Sequence, residues 1–112
     1  LIVYFHWGIE FQRYKSEMQE LIAKKAVDLG ADFVVGAHPH VLQEPEVYKG
    51  RYIYYSLGNF IFDKQIPPGT DETMILQINR TDRYPGSEDT NEKTVCCMYD
   101  SRPFPFCGRL QQ

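Results

Sequence analysis

Ala31-Asp32-Phe33-Val34-Val35-Gly36-Ala37-His38-Pro39-His40 (residues 31–40) starts as a short apolar run and ends in two imidazoles separated by one proline. Continuous apolar character over Ala31 to Val35 predicts a buried strand. Proline fixes its own φ and keeps the residue before it out of the helical region, so His38 is expected to be extended. With a side-chain period of two, His38 and His40 then point the same way. The remaining histidine, His6, closes a similar run, Leu1-Ile2-Val3-Tyr4-Phe5. That run shows no alternation and reads as a strand buried on both faces, as in a parallel sheet.

Between the two runs lies a helix signal. Ser16 followed by Gln19 is a capping box, and Met18, Leu21, Ile22, Ala26 and Leu29 recur at helical spacing. Glu17, Glu20, Lys24, Lys25 and Asp28 occupy the other face, and Gly30 is placed to end the helix at φ > 0. The spacing predicts a helix over about 16–29 whose apolar stripe packs into the core. Strand, helix and strand in this order make a βαβ unit with parallel strands. Ligands of open α/β sheets bind beyond the carboxyl ends of the strands, where all three histidines emerge.

Further on, Val47-Tyr48 and Tyr52-Ile53-Tyr54-Tyr55 flank Lys49-Gly50-Arg51 and predict a hairpin. Ser56 to Phe62 reads as a loop entering an apolar segment, Pro67-Pro68-Gly69 as a break, and Thr73 to Ile78 as a further strand. Asp82 to Thr94 is polar and aperiodic and reads as linker, with an unplaced, poorly ordered tail behind it. The division expected is residues 1–80 and 81–112, and the fold class is α/β. The chain opens without Met inside a strand, so a fragment of a longer protein is expected.

Composition narrows the function. A net charge of −3 over 112 residues leaves no basic footprint for nucleic acid. No apolar run approaches the ~18 residues of a membrane span. Cys96, Cys97 and Cys107 have neither disulfide-framework nor zinc spacing. No nucleophile elbow or glycine-rich phosphate loop is present. Three histidines at one sheet edge suit a transition metal, with phosphate or carboxylate binding by charged imidazoles as the alternative. Glu10, Glu44 and Asp63 flank them and are expected to be solvated carboxylates, with partnership to the imidazoles the lesser reading.

Three motifs in order, His6-Trp7-Gly8-x-Glu10, then Gly30-Ala31-Asp32-x-Val34-Val35-Gly36-x-His38-Pro39-His40, then Tyr55-Ser56-Leu57-Gly58-Asn59-Phe60, closely resemble a known family. It is the C-terminal half of CapA-type poly-γ-glutamate capsule biosynthesis proteins, in the calcineurin-like metallophosphatase superfamily. The resemblance covers about residues 1–80. It implies a partial αββα sandwich and two divalent ions (zinc, manganese or iron) in the complete protein. His6 and His38 would hold one ion and His40 the other. Trp7, Glu10 and Asn59 match family positions and would support the ligands or meet substrate. The function implied is metal-dependent phosphoester hydrolysis in the complete protein; the alternative is a non-catalytic assembly or export factor for an anionic capsule polymer. Implied partners are that polymer and other capsule-synthesis membrane proteins, at the cell envelope. The family's remaining ligand motifs are missing here, so this chain alone is expected to be inactive.

Overall fold

The computed structural model describes residues 1–61, 67–78 and 95–99. The predicted linker over 82–94, the division near residue 80, Asp63 and Cys107 lie outside them. The main sheet has strand order β1-β2-β5-β4, with β1 at Ile2–His6, β2 at Phe33–Ala37, β4 at Glu46–Tyr48 and β5 at Arg51–Tyr54. β1, β2 and β5 run parallel and β4 is antiparallel to β5. Val3 faces Val34, and His6 faces Ala37, so His6 and the residue before His38 share one end of the sheet. The fold is mixed α/β, and the βαβ unit forms as its residues dictate.

Helix α1 spans Glu17–Asp28. Ser16 caps it reciprocally with Gln19, and Gly30 follows at φ 102. Its buried face is Gln19, Ala23 and Val27, however, and Met18, Leu21 and Leu29 stand 61%, 65% and 74% exposed. The expected core stripe is therefore shifted in phase, although Ala26, one of its members, does pack against the core. Small side chains at Ala23 and Val27 let the helix approach Val34, Ile53 and Tyr55 closely, and that packing decides its rotation. Burying a Val or Ile side chain contributes about 1.5–3 kcal/mol, more than a helix propensity difference. β1 also departs from expectation. Only Val3 and Phe5 pack toward the core, while Ile2 and Tyr4 are exposed on the other face.

The hairpin closes through Lys49 (φ 50) and Gly50 (φ 72), two residues at positive φ as the twist of paired strands prefers. Arg51 belongs to β5. Two smaller sheets complete the description. β3 (Leu42–Gln43) pairs antiparallel with β6 (Ser56–Leu57), and β7 (Thr73–Gln77) pairs antiparallel with β8 (Val95–Tyr99). The β8 pairing brings part of the unplaced tail back against the expected strand over 73–78. Among the described residues no helix is long and apolar enough to cross a membrane.

A charged cluster fastens α1 to the hairpin. Glu46 receives Lys15, Lys24 (3.1 Å) and the Tyr55 hydroxyl (2.9 Å). Burial pushes the Glu46 carboxyl up, but the hydrogen bonds from Lys15, Tyr55 and Lys24 outweigh it and hold it at about 2, below its usual 4.5. Burial, then the Glu46 carboxylate, push the Tyr55 phenol upward. A depressed folded-state pKa gives stability that is complete above the unfolded value and is lost as pH falls from about 4.5 toward 2. At ~1.4 kcal/mol per pKa unit this is at most about 3–4 kcal/mol. Urea unfolding at pH 7 and pH 3 is expected to show most of that loss in the wild type and much less in Glu46→Gln. Equal acid sensitivity in the two proteins would refute the assignment.

Candidate metal centre

Three loops meet beyond the ends of β1 and β2. The first leaves His6 and carries Glu10. Its path is pinned by backbone bonds from Trp7 N–H to the Ala37 carbonyl (3.1 Å) and from Phe11 N–H to the Pro39 carbonyl (2.8 Å). The second holds His38, the fully buried Pro39, and His40. The third brings Asn59 from beyond β6, which is itself paired to β3. These contacts bring residues far apart in sequence to one place.

The backbone there is strained. Phe11 (φ 63), His38 (φ 99) and His40 (φ 61) all lie in the region that L side chains avoid, each costing ~1–3 kcal/mol. His38 is thus not extended as its position before proline suggests. The pre-proline restriction favours extended backbone at negative φ, and His38 departs from it. Burial of Pro39 and its bond from Phe11 impose the turned-back path instead.

Ligand atoms of Glu10, His38 and His40 all lie within 4.8 Å of one another. Glu10 Oε1 is 3.9 Å from His40 Nε2. The ring of His6 lies 4.6 Å from that of His38, and the rings of His38 and His40 lie 5.9 Å apart. The three imidazoles gather as the strand directions require, but the tight set takes its third donor from Glu10, and His6 stands beside it. Glu10 is 55% exposed, as a solvated carboxylate is expected to be, and it also lies beside the imidazoles. Glu44 is exposed away from this set.

Asn59 determines the state of His40. Its Nδ2 donates to the Thr70 carbonyl (3.3 Å), which orients the amide and turns Oδ1 toward His40 Nδ1 at 2.8 Å. An amide oxygen only accepts, so in the neutral imidazole Nδ1 carries the proton and Nε2 the lone pair, on the Glu10 side. Metal-ligating histidines are commonly held in this way. Trp7 faces the opposite side of the sheet. It stacks on Phe5 and Tyr55, and its indole N–H donates to the Tyr55 carbonyl at 2.8 Å. It supports the strand ends and does not face the imidazoles.

A donor set of two imidazoles and one carboxylate suits zinc, iron or manganese better than magnesium or calcium, which prefer oxygen. Bonds of ~2.0–2.2 Å to one ion need only small side-chain adjustments from these separations. The residues fit such an ion. Two buried amides, Gln19 and Gln43, also belong to the site's surroundings. Gln19 was legible only as half of the capping box, and the polar Gln43 closing the apolar Val41-Leu42 pair was the available signal for the other.

Residues 1–64 match the family model described as bacterial capsule synthesis protein PGA_cap. The chain is 55% identical over 75 residues to the capsule biosynthesis protein CapA of Bacillus anthracis, covering 67% of this chain and 18% of that protein. It is 37% identical over 108 residues to the PGA biosynthesis protein CapA of Bacillus subtilis (strain 168), covering 94% of this chain and 27% of that protein. An uncharacterized protein of Sinorhizobium fredii, y4sH, is 46% identical over 57 residues, half of this chain and 12% of that protein. The chain therefore spans between about a fifth and a quarter of the length of its two Bacillus relatives.

Proposed function

Because the chain belongs to the family of bacterial capsule synthesis proteins, we propose that it supplies part of a divalent-metal centre in an envelope protein that makes or handles an anionic capsule polymer. The observation that carries this reading is the convergence of Glu10, His38 and His40 within 4.8 Å. His38 and His40 would hold the ion through imidazole nitrogen and Glu10 through carboxylate oxygen, with His6 beside them for a neighbouring ion of a two-metal, metallophosphatase-like arrangement. A bound divalent ion supplies Lewis acidity toward a phosphoryl or carbonyl oxygen, which is the chemistry of phosphoester hydrolysis.

The chain's own residues do the positioning. Asn59 keeps the proton on His40 Nδ1 and so keeps Nε2 a donor atom. The bond from Phe11 to Pro39 holds the Glu10 loop against the histidine loop. Phe11, whose ring lies 5.9 Å from that of His40, covers one flank of the imidazole with an apolar surface. Interaction with capsule polymer and with membrane components of the synthesis machinery belongs to the same proposal.

Titration calorimetry tests it. Zinc or manganese is expected to bind with defined stoichiometry, and magnesium at least tenfold more weakly, as the mixed nitrogen–oxygen donor set dictates. Absence of binding by zinc, manganese and iron(II) alike would refute the metal centre.

A further inference from the structure

Gln43 is 3% exposed and Gln19 is 1% exposed, and together they form a chain of amides under the Glu10 loop. Gln43 Nε2 donates to the Gln12 carbonyl at 2.8 Å and to the Tyr14 carbonyl at 3.2 Å. Its Oε1 accepts from Gln19 Nε2 at 2.8 Å. Gln19 Oε1 in turn accepts from the Ser16 backbone N–H at 2.9 Å, within the helix cap. Each amide has one consistent orientation. Carbonyls only accept, so Gln43 must present nitrogen to the loop, and its oxygen must then face the nitrogen of Gln19.

This chain joins the two halves of the donor set. Gln43 lies three residues beyond His40, on β3, in the segment that carries both imidazoles. The carbonyls it holds belong to residues two and four places beyond Glu10. Among the described residues, the loop is also fastened to that segment by the backbone bonds from Trp7 to Ala37 and from Phe11 to Pro39, and turned by the bond from Gln12 N–H to the Ile9 carbonyl (3.3 Å). A buried amide that is fully paired costs little, whereas one that loses its partners is strongly disfavoured, so the register of the loop against β3 is narrowly set.

We propose that Gln43 is a positioning residue for the metal centre: its bonds to the Gln12 and Tyr14 carbonyls set the reach of the Glu10 carboxylate toward His38 and His40. This rests on the metal reading given above. Gln43 touches neither the ion nor substrate, and acts through the loop alone.

The test measures zinc affinity and the visible spectrum of the cobalt(II) form for wild type, Gln43→Met, Gln43→Glu, Glu10→Ala and the Glu10→Ala/Gln43→Met pair. Gln43→Met keeps length and volume but removes both donors. Gln43→Glu keeps the shape and turns a charged oxygen on two carbonyls. Both are expected to weaken zinc about tenfold, the range found when groups supporting a metal ligand are removed. The cobalt spectrum should shift toward that of Glu10→Ala. In the Glu10→Ala background, Gln43→Met is expected to add no further loss, because the residue acts only through Glu10. Ala23→Gly, which lowers the helix propensity of α1 and removes a buried methyl group, serves as a control for plain destabilisation and should leave affinity unchanged. If either Gln43 variant fails to fold by circular dichroism, the other carries the comparison. Unchanged affinity and spectrum in a folded Gln43 variant, additive loss in the double variant, or an equal loss in Ala23→Gly would overturn the proposal. A wild type that binds no metal would instead overturn the reading on which it rests.

Discussion

Zinc titrated into a His38→Gly/His40→Gly variant is expected to produce no binding at concentrations that saturate the wild type, while the folded chain keeps its stability to within about 1 kcal/mol. The first half follows from the donor set. Losing a supporting group costs a site ~10–100-fold in affinity, and here two of three converging donors disappear. A loss beyond 100-fold corresponds to roughly 3 kcal/mol or more. The second half follows from the backbone. His38 and His40 sit at φ 99 and φ 61, which glycine adopts without penalty. Relief of that strain offsets the lost bond between His40 and Asn59, worth about 1 kcal/mol. Histidines kept for packing would give the opposite pattern. Full zinc affinity with a fall in stability of several kcal/mol would identify them as structural. Calorimetry and urea unfolding on the same samples decide between the two.

Gly36→Ala is expected to destabilise the protein by about 3 kcal/mol or more, at the top of the range for overpacking a core. A methyl group there would meet Trp7 Nε1 at 2.2 Å, the Tyr55 carbonyl oxygen at 2.2 Å and Trp7 Cε2 at 2.8 Å. Neither neighbour has room to yield cheaply. The indole and the carbonyl are bonded to each other, and the carbonyl belongs to backbone immediately after β5, which is paired to β2. The indole must leave its stack on Phe5, or the strands must separate. Unfolding followed by Trp7 fluorescence should show an earlier midpoint together with a native-state emission shift. An unchanged midpoint and spectrum would show that the close approach is not what Gly36 provides.

The parallel strands, the capping box, the Lys49-Gly50 hairpin and the gathering of His6, His38 and His40 at one sheet end were legible because each rests on local chemistry or on the handedness of βαβ units. The helix phase was not. Met18, Leu21 and Leu29 are more apolar than Ala23, yet close approach to the sheet favours the smaller residue, and side-chain size at a contact is a tertiary property. The sign of φ at His38 was hidden for a similar reason, since it depends on Pro39 being held by Phe11 from another segment. Glu10 could be named from its motif but not placed among the donors. Its position depends on Gln43 and Gln19, whose amides meet 24 residues apart in sequence.

The two borders of the main sheet are unlike. β4 is three residues long, follows Pro45 and runs into Lys49, and short length, proline and lysine all discourage a further strand from pairing there. β1 is five residues long, Ile-Val-Tyr-Phe-His, carries no acid, lysine or arginine, and has a paired neighbour on one side only among the described residues. Its backbone donors and acceptors on the other side form a regular row beside the exposed Ile2 and Tyr4. Growth of this sheet is therefore directional. An additional strand, whether from the same polypeptide or from a second copy, would join at β1, next to the strand that ends in His6.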